Sequence, residues 1–117
     1  MTTPSTIPAT DLPAPIRDYL AAHVARDADT AILAFTPDAV VTDEGHAFRG
    51  SEEIRGFLRH SGAEFRYTTE LVAAQRVDDE HWVVVNHLEG DFPGGAVDLT
   101  FRFTMAGDRI AQLVIAP

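Results

Sequence analysis

A chain of 117 residues with a formal charge of −9 has room for one hydrophobic core, not two. It has no cysteine, which removes disulfides, thiolate nucleophiles and sulfur-ligated metals, and no lysine, which removes Schiff-base chemistry and lysine-anchored pyridoxal phosphate. The negative charge argues against nucleic acid and anionic membranes as partners, because neutralising phosphates needs a clustered basic surface.

The first residues, rich in Thr and Pro, show no periodicity, and residues 1–11 read as a flexible lead-in to a single domain over 12–117. They lack the basic and apolar regions of a signal peptide. No apolar run approaches the ~20 residues that cross a bilayer, so a cytoplasmic location is the default expectation. Asp11 and the prolines after it suit a helix start, and a first helix is predicted over about Pro13 to Arg26. Its buried stripe is read as Ile16, Leu20 and Val24, with Tyr19 and His23 at the edge. Asp27 is predicted to cap a shorter second helix, with Ile32 and Phe35 inward and Pro37 as the stop. Ala39–Thr42 reads as a short buried strand ending at Asp43 and the turn Glu44-Gly45-His46. Ser51 is predicted to cap a third helix, with Glu52 and Glu53 in its first turn, Ile54, Phe57 and Leu58 as its apolar face, and Ser61-Gly62 at its end.

From there the pattern is β. Strands are predicted over about Phe65 to Val77 and His81 to Glu89, followed by a break at Asp91-Phe92-Pro93-Gly94-Gly95. The clearest alternation sets Val97, Leu99, Phe101, Phe103 and Met105 against Asp98, Thr100, Arg102 and Thr104. A turn at Ala106-Gly107-Asp108 leads into a last strand, Arg109 to Ala116. Helices first and a meander after is an α+β layout, with helices on one face of a curved sheet.

The repertoire left for chemistry is Asp, Glu, His, Tyr and Arg. No serine lies in a nucleophile elbow and no glycine-rich phosphate loop is present. Asp43, at the end of a core strand and before a glycine turn, is placed as a pocket carboxylate would be; the alternative is a carboxylate that caps its own turn. Tyr19 lies on the first helix, on a face that reaches the same place, and His23 shares that face one turn on. His46, three residues beyond Asp43, is a candidate proton shuttle or an exposed loop histidine. His81 and His87 are six residues apart on one strand, roughly 20 Å, too far for one metal ion. Trp82, His87, Phe101, Phe103 and Met105 are candidates for the wall of a cupped cavity; the aromatic ones and Met105 serve equally as core or dimer interface.

The run Phe35-x-x-Asp38-Ala39-Val40-Val41-x-Asp43, with the Asp27-capped helix before it and the Gly50-Ser51-x-x-Ile54 helix start after it, resembles the nuclear-transport-factor-2-like superfamily. Its SnoaL-like polyketide cyclases and ketosteroid isomerases are the most similar branch, over about residues 12 to 116. The resemblance implies a cone-shaped α+β roll with a mixed or antiparallel sheet covered by three N-terminal helices. It implies a small hydrophobic ligand, cofactor-independent acid–base chemistry and a homodimer that packs sheet on sheet. Asp43 falls on the isomerases' general base and Tyr19 on their oxyanion tyrosine, which in those enzymes is paired with a protonated acid. That acid has no counterpart here, because its place falls near Thr100 or Phe101. The activities implied are isomerase or cyclase, with a non-catalytic binding or accessory module and an epoxide-hydrolase-like hydrolase as alternatives.

Overall fold

In the computed structural model, which describes residues 5–60 and 65–117, seven strands form one curved, unclosed sheet and three helices cover one of its faces. The strands are β1 (Ser5–Thr6), β2 (Phe35–Asp43), β3 (His46–Arg49), β4 (Tyr67–Arg76), β5 (His81–Gly90), β6 (Ala96–Ala106) and β7 (Arg109–Ala116); the helices are α1 (Ala14–Val24), α2 (Ala28–Ala31) and α3 (Gly50–His60). The order across the sheet is β1-β4-β5-β6-β7-β2-β3. All pairs are antiparallel except β2 with β7, so the sheet is mixed.

Local chemistry accounts for most element boundaries. Asp27 caps α2 as its position suggests: its carboxylate accepts from the Thr30 backbone N–H at 3.2 Å and from the Thr30 hydroxyl at 2.6 Å. At the start of α3 the carboxylate of Glu53 accepts from the Arg49 N–H at 3.1 Å. The expected end of α3 at Ser61-Gly62 lies outside the described residues.

Four expectations change. Before α1, Asp11 lies in a short 3-10 turn, and Pro13 occupies the cap position without a side-chain bond. The buried residues of α1 are Ile16, Tyr19 and Ala22, while Val24 is exposed, so the inward stripe runs in three-residue steps and Tyr19 is central to it rather than at its edge. Pro37 lies inside β2, at the irregularity where the register against β7 shifts between Phe35 and Val40, which is where a strand tolerates a residue without an N–H. Ser5–Thr6, expected to be part of the lead-in, pairs with Gln75 and Arg76 at the sheet edge.

The alternation of β6 holds throughout. Phe101, Phe103 and Met105 are buried on the concave face, and Asp98, Thr100, Arg102 and Thr104 point to the other side. The core between sheet and helices contains Ile16, Tyr19, Phe35, Val41, Ile54, Val84, Phe103, Ile110 and Leu113, all buried. Phe101, Leu99 and Ile115 continue this face toward the wide end of the cup, beside the open cavity.

Candidate active site

Asp43 owes its place to a two-residue hairpin, where the sequence pattern alone suggests only a turn. Glu44 and Gly45 both have positive φ, 49° and 86°, so β2 reverses directly into β3 and Asp43 pairs opposite His46. On its other side Asp43 is in register with Ile115 of β7. The Asp43 carboxylate therefore ends on the concave face and lines a cavity of about 330 Å³ together with His23, Glu44, Phe65, Tyr67 and Phe101. Leu88, Phe92, Pro93, Val97 and Leu99 complete an apolar wall from β5, β6 and the segment between them. A volume of this size accommodates a fused-ring small molecule.

Asp43 is half-buried, and its pKa is raised, first by loss of solvent, then by the neighbouring Glu44; His46 pulls the other way. The carboxylate makes no hydrogen bond to its own turn among the described residues. The turn-capping alternative, which would have lowered the pKa, is not what is seen. His46 itself is exposed and outside the cavity lining, so it acts on Asp43 only through charge.

Tyr19 and His23 are one turn apart on α1 with their rings stacked at 5.8 Å. His23 lines the cavity and meets Phe101 edge-on at 6.2 Å. Burial, and then the Arg26 charge, lower its pKa, so the imidazole is neutral at pH 7. Tyr19 lies behind it, wedged edge-on against Phe35 at 5.4 Å and Phe103 at 5.8 Å. Its hydroxyl is enclosed and has no hydrogen-bond partner among the described residues. Burial raises its pKa well above the ordinary phenol range, and the charges of Asp43 and Tyr67, both cavity residues, raise it further. Tyr19 is thus a neutral phenol sealed behind His23 and outside the cavity lining, although the sequence placed it on a face that reaches the pocket.

The other expected wall residues divide. Phe101 is in the lining. Trp82, Phe103 and Met105 share its face but lie toward the closed end, packed into or against the core and outside the lining. The reason is register: Trp82 pairs with Phe103, a rung that α1 covers through Tyr19. His87 has the opposite parity. On the outer face its Nδ1 is 2.6 Å from Asp98 and its Nε2 3.0 Å from Glu89, contacts that raise its pKa. No group of three or more His, Asp or Glu side chains among the described residues is arranged to hold a metal ion.

The rim was not legible from periodicity. Phe65 and Tyr67 meet Phe92 edge-on at 6.2 and 6.5 Å. Asp91 ties the rim together: its carboxylate accepts from the Arg66 N–H at 2.7 Å, and its own N–H donates to the Arg66 carbonyl at 3.0 Å. Arg26 braces the rim from outside, donating to the Phe65 carbonyl at 2.7 Å with its guanidinium 5.0 Å from the Tyr67 ring centroid.

The family model for the SnoaL-like domain matches residues 16–113. The chain belongs to the SnoaL-like family. A crystal structure of a provisionally assigned polyketide cyclase from Sinorhizobium meliloti is 34% identical and superposes with a TM-score of 0.85, covering 94% of this chain and 100% of that one. A ketosteroid-isomerase-like fold from Catenulispora acidiphila, determined with trimethylamine, is 19% identical with a TM-score of 0.77 over 90% of this chain and 85% of that one. A cystatin-fold protein from Novosphingobium aromaticivorans is 20% identical with a TM-score of 0.74, covering 88% of this chain and 95% of that one. The last two speak for the fold alone. No functionally curated protein matches the chain significantly. No helix among the described residues is long and apolar enough to cross a membrane.

Proposed function

We propose that this SnoaL-like chain binds a hydrophobic, cyclic, carbonyl-bearing molecule and moves a proton on it without a cofactor. The observation that carries the reading is a half-buried carboxylate with a raised pKa, Asp43, lining an otherwise apolar cavity that also holds the neutral imidazole of His23. A base whose pKa approaches the working pH abstracts a carbon-bound proton more effectively than an ordinary carboxylate. Asp43 takes the proton α to the carbonyl, and the C–H electron pair moves into the ring system and onto the carbonyl oxygen. The His23 N–H donates to that oxygen as charge develops, in a site where water is scarce. Tyr19, stacked behind His23 with its hydroxyl enclosed, backs that imidazole and holds the plane of its ring. Return of the proton to a different carbon gives isomerisation; attack of the enolate on a second carbonyl gives ring closure.

The test is proton exchange in deuterated water with a panel of cyclic ketones and enones, followed by NMR. Asp43→Asn should abolish exchange while leaving ligand affinity within about threefold. Exchange that survives this change would sink the mechanism.

A second reading, binding without chemistry, is favoured by one observation. Phe101 lines the cavity, and the family resemblance puts the isomerases' second acid near Thr100 or Phe101, neither of which is an acid. Under that reading Asp43→Asn changes neither affinity nor any exchange. Epoxide hydrolysis is the third reading, since it needs a second carboxylate or an arginine on the water that Asp43 activates; Glu44 lines the cavity, and no arginine among the described residues does.

The homodimer is proposed on the outer sheet face, where Val83, Val85, Thr100 and Val114 are only partly covered in the single chain. Sedimentation equilibrium decides it. A cytoplasmic site of action is part of the same proposal, and cell fractionation checks it.

A further inference from the structure

The charges around the cavity do not balance. Two carboxyl groups line it, those of Asp43 and Glu44, and no arginine among the described residues does. Lysine is absent from the chain, and the His23 imidazole in the lining is neutral at pH 7. A neutral ligand leaves the two carboxyl groups beside apolar walls without a counter-charge, and an anion adds to their repulsion; a cation relieves it. The net charge of −9 acts in the same sense, because it draws cations toward the molecule.

The walls favour the same kind of guest. Five aromatic rings line the cavity: Phe57, Phe65, Tyr67, Phe92 and Phe101. Three of them gather at the rim, where Phe65 and Tyr67 stand against Phe92 at interplanar angles of 71° and 75°. Rings at such angles make a corner rather than a flat stack, the arrangement in which proteins receive methylated ammonium groups. Tyr67 already meets one cation from outside the cavity lining, the Arg26 guanidinium at 5.0 Å. Arg26 is exposed, so solvent and salt screen its repulsion of a second cation. Glu44 is exposed as well and belongs to the mouth: it follows the last rung of β2, and its N–H donates to the Ile115 carbonyl at 3.3 Å. Methylation of the cation follows from the scarcity of acceptors. A primary ammonium has three N–H donors to satisfy, whereas a methylated one presents carbon to the rings.

We infer that the ligand of this cavity carries a methylated ammonium group, received at the mouth by the Phe65, Tyr67 and Phe92 rings and the Glu44 carboxylate. For the body of the ligand this rests on the carbonyl reading, which it narrows to amino ketones. The cationic head is argued from the mouth alone.

The experiment titrates choline and its neutral isostere 3,3-dimethylbutan-1-ol, in which carbon replaces the quaternary nitrogen, into the protein at low salt by NMR. The native protein should prefer choline by about tenfold. Phe92→Leu, which keeps an apolar side chain and removes the ring, should weaken choline by about fivefold and leave the alcohol within about twofold. Glu44→Gln should weaken choline by about threefold, a loss that shrinks in high salt, and its exposed position keeps the fold out of the result. Equal binding of the two probes, no binding of choline, or a preference that survives both substitutions would overturn the inference. Proton exchange on the neutral cyclic ketones reads the other half separately. Exchange without a choline preference sinks this inference and spares the carbonyl reading; a choline preference without exchange on any ketone supports the cationic head and counts against the carbonyl reading.

Discussion

Tyr19 and His23 stack on one face of α1, yet only the imidazole reaches the cavity lining. The phenol is sealed behind it with its hydroxyl unpartnered among the described residues. On the proposed function the pair divides the work of an oxyanion tyrosine, with His23 facing the ligand and Tyr19 fixing the plane of its ring.

Tyr19→Phe separates the hydroxyl from the packing. Because the buried hydroxyl has no partner among the described residues, its removal should leave stability unchanged or raise it by about 1 kcal/mol in urea unfolding. Proton exchange on a bound ketone should be little changed, because the phenylalanine ring keeps the stack on His23. A stability loss above about 2 kcal/mol would mean that the hydroxyl has a structural partner.

His23 and Asp43 give opposite pH dependences. The folded pKa of His23 lies below its unfolded value of 6.5, so the unfolded chain takes the proton first as pH falls. Stability should decline below about pH 6.5 and level off beneath the folded pKa. Asp43 is raised above its unfolded value of 3.8, so it stabilises the fold only while protonated, and its contribution is lost as pH rises from there through the folded pKa. In melts across about pH 4 to 8, His23→Phe should flatten the acid-side decline, and Asp43→Asn should raise the melting temperature at neutral pH. A profile that His23→Phe leaves unchanged would remove the buried-imidazole account of His23.

On the proposed mechanism Asp43 also sets the rate profile. Exchange should rise with pH along a limb shifted upward from that of a free aspartate, and neutralising Glu44 with Gln should shift that limb toward lower pH, since Glu44 is the second cause of the raised pKa. An unmoved limb would show that desolvation alone holds Asp43 up.

Gly90 supports the rim by its lack of a side chain. A Cβ there would strike the Arg66 carbonyl oxygen and stand 2.6 and 2.7 Å from Tyr67 Cβ and Cα, contacts with backbone that cannot swing away. Gly90→Ala should cost about 2 kcal/mol in denaturant unfolding and weaken ligand binding through displacement of Tyr67. Native stability in this variant would mean that the β4–β5 end opens freely.

Most of the frame was legible because its signals are local. The strict alternation of 97–105, the Asp27 cap and the position of Asp43 after a core strand all follow from periods and caps. In α1 packing overrides pattern: Leu20 and Val24 look like the better core residues, but the fit against Phe35 and Phe103 selects Tyr19. The hairpin at Glu44-Gly45 has a readable signal, an acidic residue and a glycine between two short runs, but the second run, His46–Arg49, carries little apolar character. The rim residues Phe65, Tyr67 and Phe92 come together through the Gly90–Asp91 turn, and no window of sequence contains that arrangement. Trp82 and Met105 share parity with Phe101, and only the placement of α1 decides which of them sees open space.

The single parallel contact of the sheet has a kinetic consequence. The strands from β4 to β7 form a local meander that closes short loops, whereas β2 must find β7 across a far longer stretch of chain, with Asp43 meeting Ile115 at the end of that ladder. Such long closures come late, because their entropy is spent before their contacts reward it. The carboxylate thus joins the wall it serves only when the last non-local pairing forms, and a refolding chain should gain protected meander amides before it gains the ability to bind any ligand.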